Sequence, residues 1–464
     1  MMTARPTCSS LSRLRRPERA SLLIIVIWIA FALVSITIYF AHSMSFEMRA
    51  ADNRAAALES EEAIEGAARY VGCLLSNLDI PGSMPDQQTY LFQNVAVGNA
   101  HFWLIGQGMN DTDPQTMAHF GLRDESAKLN LNYCSSNILA NLASVYNIQD
   151  LTPEVISSIL AWRNTNSSLQ NGGAETSTYM ALQPPYLCKN SKFETVDELR
   201  LVYEMTTPMM FGEDGNLNNF LDPNENDGDT LPPSDNRDGE LNPGLLDLMT
   251  VYSREPTVTT NGMTRFNITT FSAISQTSQR ALTQALTNGT SITLSRARQI
   301  VSAVSSRVRP MGSPLEFYVR AGLSLTEIAQ VEPNLRGTNV AGLLNVNTAS
   351  TALRSCIPGL DTGQASTLTQ YRQNNTNVLN GSIGWITQVL PATNAYLAGP
   401  YLTGKTYQYA ADIAAVGHNG RGYRRTLFIF DTSQYIPVIL YRRDLTHLGW
   451  ALGKEGRNPT LAGK

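Results

Sequence analysis

The sequence predicts an α+β chain: a long N-terminal transmembrane helix, a middle of helical blocks, and an antiparallel sheet closed by the last strands. Three observations carry that prediction. The uncharged run SLLIIVIWIAFALVSITIYFA extends from Ser21 to Ala41, and about 20 apolar residues span a hydrocarbon core as a helix. Leu, Ile and Val recur at helical spacing in several central segments. The chain then closes with YQYAADIAAVGHNGRGYRRTLFIFDTSQYIPVILYRRD. This is three strand-like runs parted by His418-Asn419-Gly420 and by Asp431-Thr432-Ser433.

The N-terminal run is preceded by RLRRPERA. Arg5, Arg13, Arg15, Arg16 and Arg19 put positive charge on that side, which orients it toward the cytoplasm and leaves the rest of the chain outside. A secretory signal has an apolar region of only about 7–15 residues before an A-x-A site, and no such site closes this run. It leads directly into HSMSFEMRAADNRAAALESEEAIEGAARYV, rich in Ala, Glu and Arg, without Pro and without Gly before Gly66. The helix is therefore expected to continue well past the membrane. Taken alone, the segment also reads as a simple signal anchor.

With 464 residues the chain should hold two or three domains. A net charge of −4 and a hydrophobic fraction of 42% describe a globular chain and exclude a disordered or strongly nucleic-acid-like one. Five cysteines are too few for a disulfide scaffold. Cys8 lies in the leader, and Cys73, Cys134, Cys188 and Cys356 lack C-x-x-C spacing. Two disulfides and four isolated buried thiols fit the sequence equally well.

In chain order, HFWLIGQG from His101 reads as a strand. Two helices are expected in SSNILANLASVYNIQ and TPEVISSILAWRNT, the second starting at Thr152-Pro153-Glu154. FETVDELRLVYEMTTPMMFG predicts a short helix opened by Asp197 and Glu198, and Gly212 to Asp247 a loop. Helical patterning returns from Leu294 to Gln330. A helix–turn–helix pattern then surrounds Pro358-Gly359 within Leu343 to Arg372. The Ser/Thr-rich stretch from Thr257 to Thr293 is left open between an ordered part of the second helical block and a flexible link.

The loop FGEDGNLNNFLDPNENDGDTLPPSDNRDGELNPGLLDL carries the clearest chemistry. Carboxylate and Asn oxygens at alternating positions, with Gly at sharp turns, are what a hard, oxygen-seeking cation requires. Asp222, Asn224 and Asn226 have the 1, 3, 5 spacing of an EF-type loop, with Asp227 where its Gly would be. Asp229 comes next, and Asp235, Asn236 and Asp238 make a second partial match. Neither has Glu at the twelfth position. Asp214, Asn216 and Asn218 repeat the alternation, and Asp247 stands where it could close a site. The pattern predicts calcium, one or two ions, in preference to magnesium with its compact octahedral demand, or else a merely solvated acidic loop.

These blocks together resemble the K-type minor pseudopilin family of bacterial type II secretion (general secretion pathway protein K). The carriers are the leader with SLLIIVIWIA, then RDESAKLNLN, ILAWRN, VDELRLVYEMT, the LNVNTAS…IPGL…QYR unit and ADIAAVGHNGRGYRR, in that order over nearly the whole chain. The resemblance implies a leader (1–20) removed by a prepilin peptidase and a spine helix (21–75). It implies a pilin-like α/β domain from 76–132 and 400–453, and inserted helical domains of helix-hairpin-helix or SAM-like kind at 133–256 and 257–399. It further implies a tip position with I- and J-type minor subunits above the major pseudopilin, an inner-membrane anchor with a periplasmic globular part, a contact with the secreted substrate, and bound calcium.

Aligned on that family, the cut falls after Ala20, where Gly is usual, and leaves Ser21 as the new N-terminus. The fifth residue after the cut is Ile25, where ordinary pilins carry a Glu that pairs with a neighbouring subunit's amine. A subunit without that buried charge, costly when unpaired, does not call for the neighbour, which suits a first or capping position.

Other chemistries find little support. His42, His101, His119, His418 and His447 show no metal-ligand spacing, and no G-x-S-x-G elbow, P-loop or dinucleotide fingerprint occurs. The chain is read as a non-enzyme. Asp124-Glu125 suggests a turn or a structural salt bridge with Lys128, and Trp162-Arg163 a helix end with a buried indole. The helical hairpin at Leu343 to Leu379 supports, as an alternative, a membrane-anchored DNA receptor. Only Arg354 and Arg372 lie there, however, and no basic cluster. A type IV pilus minor pilin is the third reading. Arg421, Arg424, Arg425, Arg442 and Arg443 are expected on a solvated or subunit-facing sheet surface.

Overall fold

The structure, a computed structural model, describes residues 18–453 except 109–114, 149, 165–171, 307–308 and 376–380, with side chains from Leu22 onward. The apolar run and the Ala/Glu/Arg stretch behind it form one uninterrupted helix, Glu18–Ser76, of 59 residues. From Leu22 to Phe46 its large apolar side chains are exposed, between 44% at Ile27 and 75% at Trp28. Among the described residues it is the one helix long and apolar enough to cross a membrane. Farther along, Ala56, Ser60, Ala63, Ile64, Ala67, Val71 and Leu75 are buried. Their three- and four-residue spacing makes one stripe of the helix.

That stripe lies on an antiparallel sheet of β1 (Val95–Val97), β2 (Ala100–Ile105), β3 (Arg123–Asp124), β4 (Gln408–Val416), β5 (Arg424–Asp431) and β6 (Val438–Asp444). The order is β1-β2-β4-β5-β6, with β3 also pairing β4. Ile413 on β4 stands opposite Leu104 on one side and Thr426 on the other. All nine residues of β4 are buried, which is why YAADIAAV reads as a continuous apolar run with one acid. Ala411, Ile413 and Ala415 meet the helix, with Phe102, Leu104, Phe428 and Phe430 flanking them. Small residues on both surfaces let helix and strand approach closely.

The chain between β3 and β4 is a helical excursion with its own apolar cluster, running from Leu129 to Leu402. Two-residue parallel pairs staple entry to exit: Leu129–Asn130 with Met249–Thr250, Phe266–Asn267 with Leu335–Arg336, and Leu344–Asn345 with Leu402–Thr403. Ser136–Val145 and Pro153–Arg163 are helices capped by Ser135 and Thr152. Trp162 is buried at the end of the second. Glu125 and Lys128 form the expected ion pair at 3.6 Å.

Two segments differ from expectation. FETVDELRLVYEMTTPMMFG is not one helix but a 3-10 turn, Val196–Leu201, and a short helix, Thr207–Phe211. Glu204 between them has φ 61°, and Thr206 caps the second piece anew. The open question at Thr257 to Thr293 is answered by a helix, Gln276–Thr287, with Leu282 and Leu286 fully buried. It packs on helix Leu294–Ser305. Cys73 is exposed, Cys134, Cys188 and Cys356 are buried, and all four are free thiols. Burial pushes the Cys134 and Cys356 thiols up to about 12.

Candidate functional site

Ala20 and Ser21 lie within the long helix by backbone, and the leader residues 1–17 fall outside the described residues. Ile25 sits on the exposed apolar part of the helix, 53% accessible. The helix and the head are joined at a clasp. Gly417 and Gly422 of the β4–β5 turn press on the backbone of Ala56 and Ala57, where an added Cβ would land on main-chain atoms. His418 then grips the helix from that turn. Its backbone N–H and Nδ1 meet Glu59 Oε2 at 3.0 and 2.7 Å, and its Nε2 meets Asp52 Oδ1 at 2.8 Å. Arg421 pairs with the other Asp52 oxygen. Hydrogen bonds donated to Glu59 and Asp52 raise the His418 pKa, and accepting them lowers those of both carboxylates.

A second junction ties the sheet to the acidic loop. Arg425 is fully buried and holds Asp412 with two bonds, Nε to Oδ1 at 2.9 Å and Nη2 to Oδ2 at 2.7 Å. Its remaining donors reach the carbonyls of Asn216 and Leu217 at 2.6 and 2.7 Å. Arg425 therefore does not belong to a solvated or subunit-facing surface. Burying Asp412 on the central strand demands a partner, and Arg425 on the adjacent strand supplies it. Arg442 and Arg443 pair with Glu65 and Asp197 at 2.7 and 2.8 Å.

The acidic loop is divided. Its inner carboxylates, Glu213, Asp214, Glu225 and Asp247, are buried. Asp214 accepts from the backbone of Asn218 and Asn219 at 3.1 and 2.9 Å. Glu225 accepts from Gly215 and Asp222 at 3.0 Å each. Burial, with the neighbouring Asp247 charge, pushes Asp214 up to about 6. Burial, with Asp214 and Asp222 nearby, pushes Glu225 up to about 8. Asp247 lies 3.7 Å from Arg123 Nη1, and the Asn219 amide, turned to suit both, bridges them. Asn216 and Asn218 donate to one oxygen of Asp222 at 2.7 and 3.0 Å. The structure thus gathers Asp214, Asn216, Asp222 and Asp247 on the inner side, together with Glu225.

The outer residues serve the loop's own turns. Asn224 donates to the Pro232 carbonyl at 3.1 Å, and exposed Asp229 accepts from Ser234. Asn226 is an exposed residue ending the turn Pro223–Glu225. Asp235 takes the backbone amides of Asp227, Gly228 and Arg237, and Asp238 takes Asn236 and Glu240. At the 1, 3, 5 positions Asp222 accepts from the Asn216 and Asn218 amides and Asn224 acts as a donor, whereas the oxygens of Asp235 and Asp238 do turn chemistry, satisfying nearby N–H groups. Among the described residues no three His, Cys, Asp or Glu side chains converge as a metal-ligand set. Glu213 and Glu225 escape a reading of the sequence because they fall off the alternating register. The signal for Glu225 is the capping box Asp222-x-x-Glu225.

In the helical hairpin, Thr351–Ser355 and Thr362–Asn374 are joined by a turn whose Gly359 has φ 86°. Arg354 is fully buried and bonds Thr369 Oγ1 and the Val346 carbonyl. Arg372, also buried, bonds the Asn347 carbonyl at 2.7 Å. Both cations are spent on internal acceptors, so neither is displayed for phosphate.

Comparison with known proteins gives two results. Residues 122–211 match the family model of type II secretion system protein K. Among solved structures, the GspK-GspI-GspJ complex from the enterotoxigenic Escherichia coli Type 2 Secretion System aligns over 84% of this chain and 95% of the matched chain, with 10% identity and a TM-score of 0.38. A search of curated proteins finds no match.

Proposed function

We propose that this chain, which carries the type II secretion protein K module over residues 122–211, is a minor pseudopilin at the tip of the pseudopilus. There it initiates or caps fibre assembly for the export of folded proteins across the outer membrane. The observation that carries this reading is the two-part helix. From Ala56 its buried stripe belongs to the head, whereas Leu22 to Phe46 is apolar, exposed and free of acid at Ile25. Such a surface needs first a bilayer and then neighbouring helices to cover it. A carboxylate at position 25 would call for a partner amine; Ile25 calls for none, which suits the end of a fibre. The role is mechanical, with the anchor in the bacterial inner membrane, the head in the periplasm, and the leader removed by a prepilin peptidase. The I- and J-type minor subunits, the major pseudopilin and the secreted substrate are the partners. Affinity purification of the detergent-solubilised full-length chain from its own cells tests this. Recovery of two other short-leader, pilin-like subunits supports it, and their absence together with salt-dependent DNA binding overturns it.

Calcium belongs to the same reading. The inner loop residues Asp214, Asn216, Asp222 and Asp247, with Glu225, are oxygen donors of the type a hard cation takes, although no three of their carboxylates converge as folded. The burial of Asp214 and Glu225 near like charges is a cost that a divalent cation would relieve. Bound there, calcium would supply charge neutralisation for a loop that Arg425 already fixes to the sheet.

A further inference from the structure

We infer that the far side of the long helix, just past its apolar run, is a coiled-coil seam for one helix of a different membrane-anchored chain. The facing flank of that helix carries a basic, an acidic and a basic residue at seven-residue spacing. The inference rests on the reading of this chain as an anchored assembly subunit and adds the partner's chemistry to it.

Met44, Met48, Ala51, Ala55 and Leu58 follow one another at steps of four and three, the spacing of a left-handed coiled-coil seam. All five are exposed, Met44 and Leu58 at 64% and Met48 at 73%. At about 100° per residue, Leu58 lies nearly opposite Ala56 and Ser60, which are buried against the sheet. The head therefore leaves this stripe open. The bilayer does not account for it either, because a span of about 20 residues that begins at Ser21 ends near Ala41. The stripe stops where Glu62 and Glu65 take the next two seam positions.

Charge decides which helix fits. One flank of the stripe, Asp52 and Glu59, is held by His418 and Arg421 of the head. The other flank carries Glu47, Arg54 and Glu61, seven residues apart. All three are exposed and form no ion pair among the described residues. Flanking charges of this kind set partner choice in coiled coils. A second copy of this chain fits poorly. In a parallel, in-register pair each flank residue faces the one five places on in its neighbour. Glu47 would then meet the like charge of Asp52, Arg54 would compete with His418 for Glu59, and Glu61 would face Gly66.

The test places a photo-crosslinking benzophenone side chain at Met48 or Leu58 of the full-length chain in its own cells, with exposed Asn53 on the head side as control. Mass spectrometry identifies the crosslinked segments. Met48 and Leu58 should each capture one helical segment that follows an apolar run and bears the basic–acidic–basic flank, about fivefold more than Asn53 does. Arg54→Glu should cut that yield about fivefold, and changing the facing acid of the partner to Lys should restore it. Glu61→Lys should act alike, and because both residues are exposed and unpaired neither change touches the fold. Adducts with a second copy, equal yields from all three sites, no adduct, or a yield indifferent to both variants overturn the seam. The pseudopilin reading is judged separately. A partner with the flank but no pilin-like character keeps the seam and overturns that reading, whereas pilin-like partners caught only from Asn53 do the reverse.

Discussion

His418 meets Glu59 twice, through its backbone N–H and through Nδ1, both ending on the same carboxylate oxygen. With Asp52 on the other ring nitrogen, both imidazole nitrogens face carboxylates, an arrangement that suits the doubly protonated ring. The β4–β5 turn is thus held to the long helix where its buried stripe begins.

The clasp should respond to pH in two directions. His418 has a raised pKa, so its contribution is complete below the unfolded value and is lost as pH rises through the folded one. Asp52 and Glu59 have lowered pKa values, so theirs is present above the unfolded carboxylate range and lost as pH falls through the folded one. The difference in melting temperature between wild type and His418→Gln should be greatest near pH 5–6, about midway between the unfolded carboxylate and imidazole values, and shrink toward pH 9. An NMR titration should place the His418 midpoint above the ordinary imidazole value, and Glu59→Gln should lower it. An unshifted midpoint speaks against the clasp.

Gly417→Ala should loosen the same junction by steric means. The new Cβ falls on the Ala56 carbonyl, and forcing atoms into a packed contact costs about 1–3 kcal/mol. Hydrogen exchange should show faster amides near residues 50–60 of the helix, while β2 and the helical excursion stay protected. Unchanged exchange there would show that the turn can shift freely.

Arg425→Met strips the partner from fully buried Asp412. Breaking a buried pair from one side costs about 3–5 kcal/mol, and here the lower end is expected because Arg123 stands 3.5 Å from the same carboxylate. Adding Asp412→Asn should recover part of the loss. Melting of both variants measures it, and limited proteolysis should find the loop near Asn216 and Leu217 newly accessible in Arg425→Met.

The inner carboxylates give the calcium reading a sign. Asp214 at about 6 and Glu225 at about 8 keep protons that the unfolded chain releases near pH 4, so metal-free stability should fall as pH rises toward 8. Glu225→Gln should flatten that decline. Calcium acts in the opposite sense, so the melting gap between calcium and chelator should widen from pH 6 to pH 8 and narrow in Asp214→Asn. An identical melting temperature with and without calcium at both pH values would sink the metal proposal.

The legible parts of the fold rest on local rules. Thr152 and Pro153 start a helix because cap geometry is decided within one turn. His418-Asn419-Gly420 makes a turn because Asn419 and Gly420 accept positive φ. The helix Gln276–Thr287 stayed hidden because its Ser, Thr and Gln residues obscure the two leucines that bury it. Long-range partnerships were hidden more deeply. Arg425 looks like any member of a basic cluster until Asp412 and the loop carbonyls surround it.

By itself, the sequence determined the uninterrupted apolar helix, the strand-rich ending and the composition of the acidic loop, since each depends on residues within a few positions of one another. The tertiary structure alone decided that β4 threads the middle of the sheet. It also decided that Ala56 is where the helix passes from exposed surface to core, and that the loop's alternating oxygens mostly serve its own turns. Those outcomes depend on contacts between residues up to 369 positions apart, as Arg421 is from Asp52. No local pattern encodes which distant charge will satisfy a buried one.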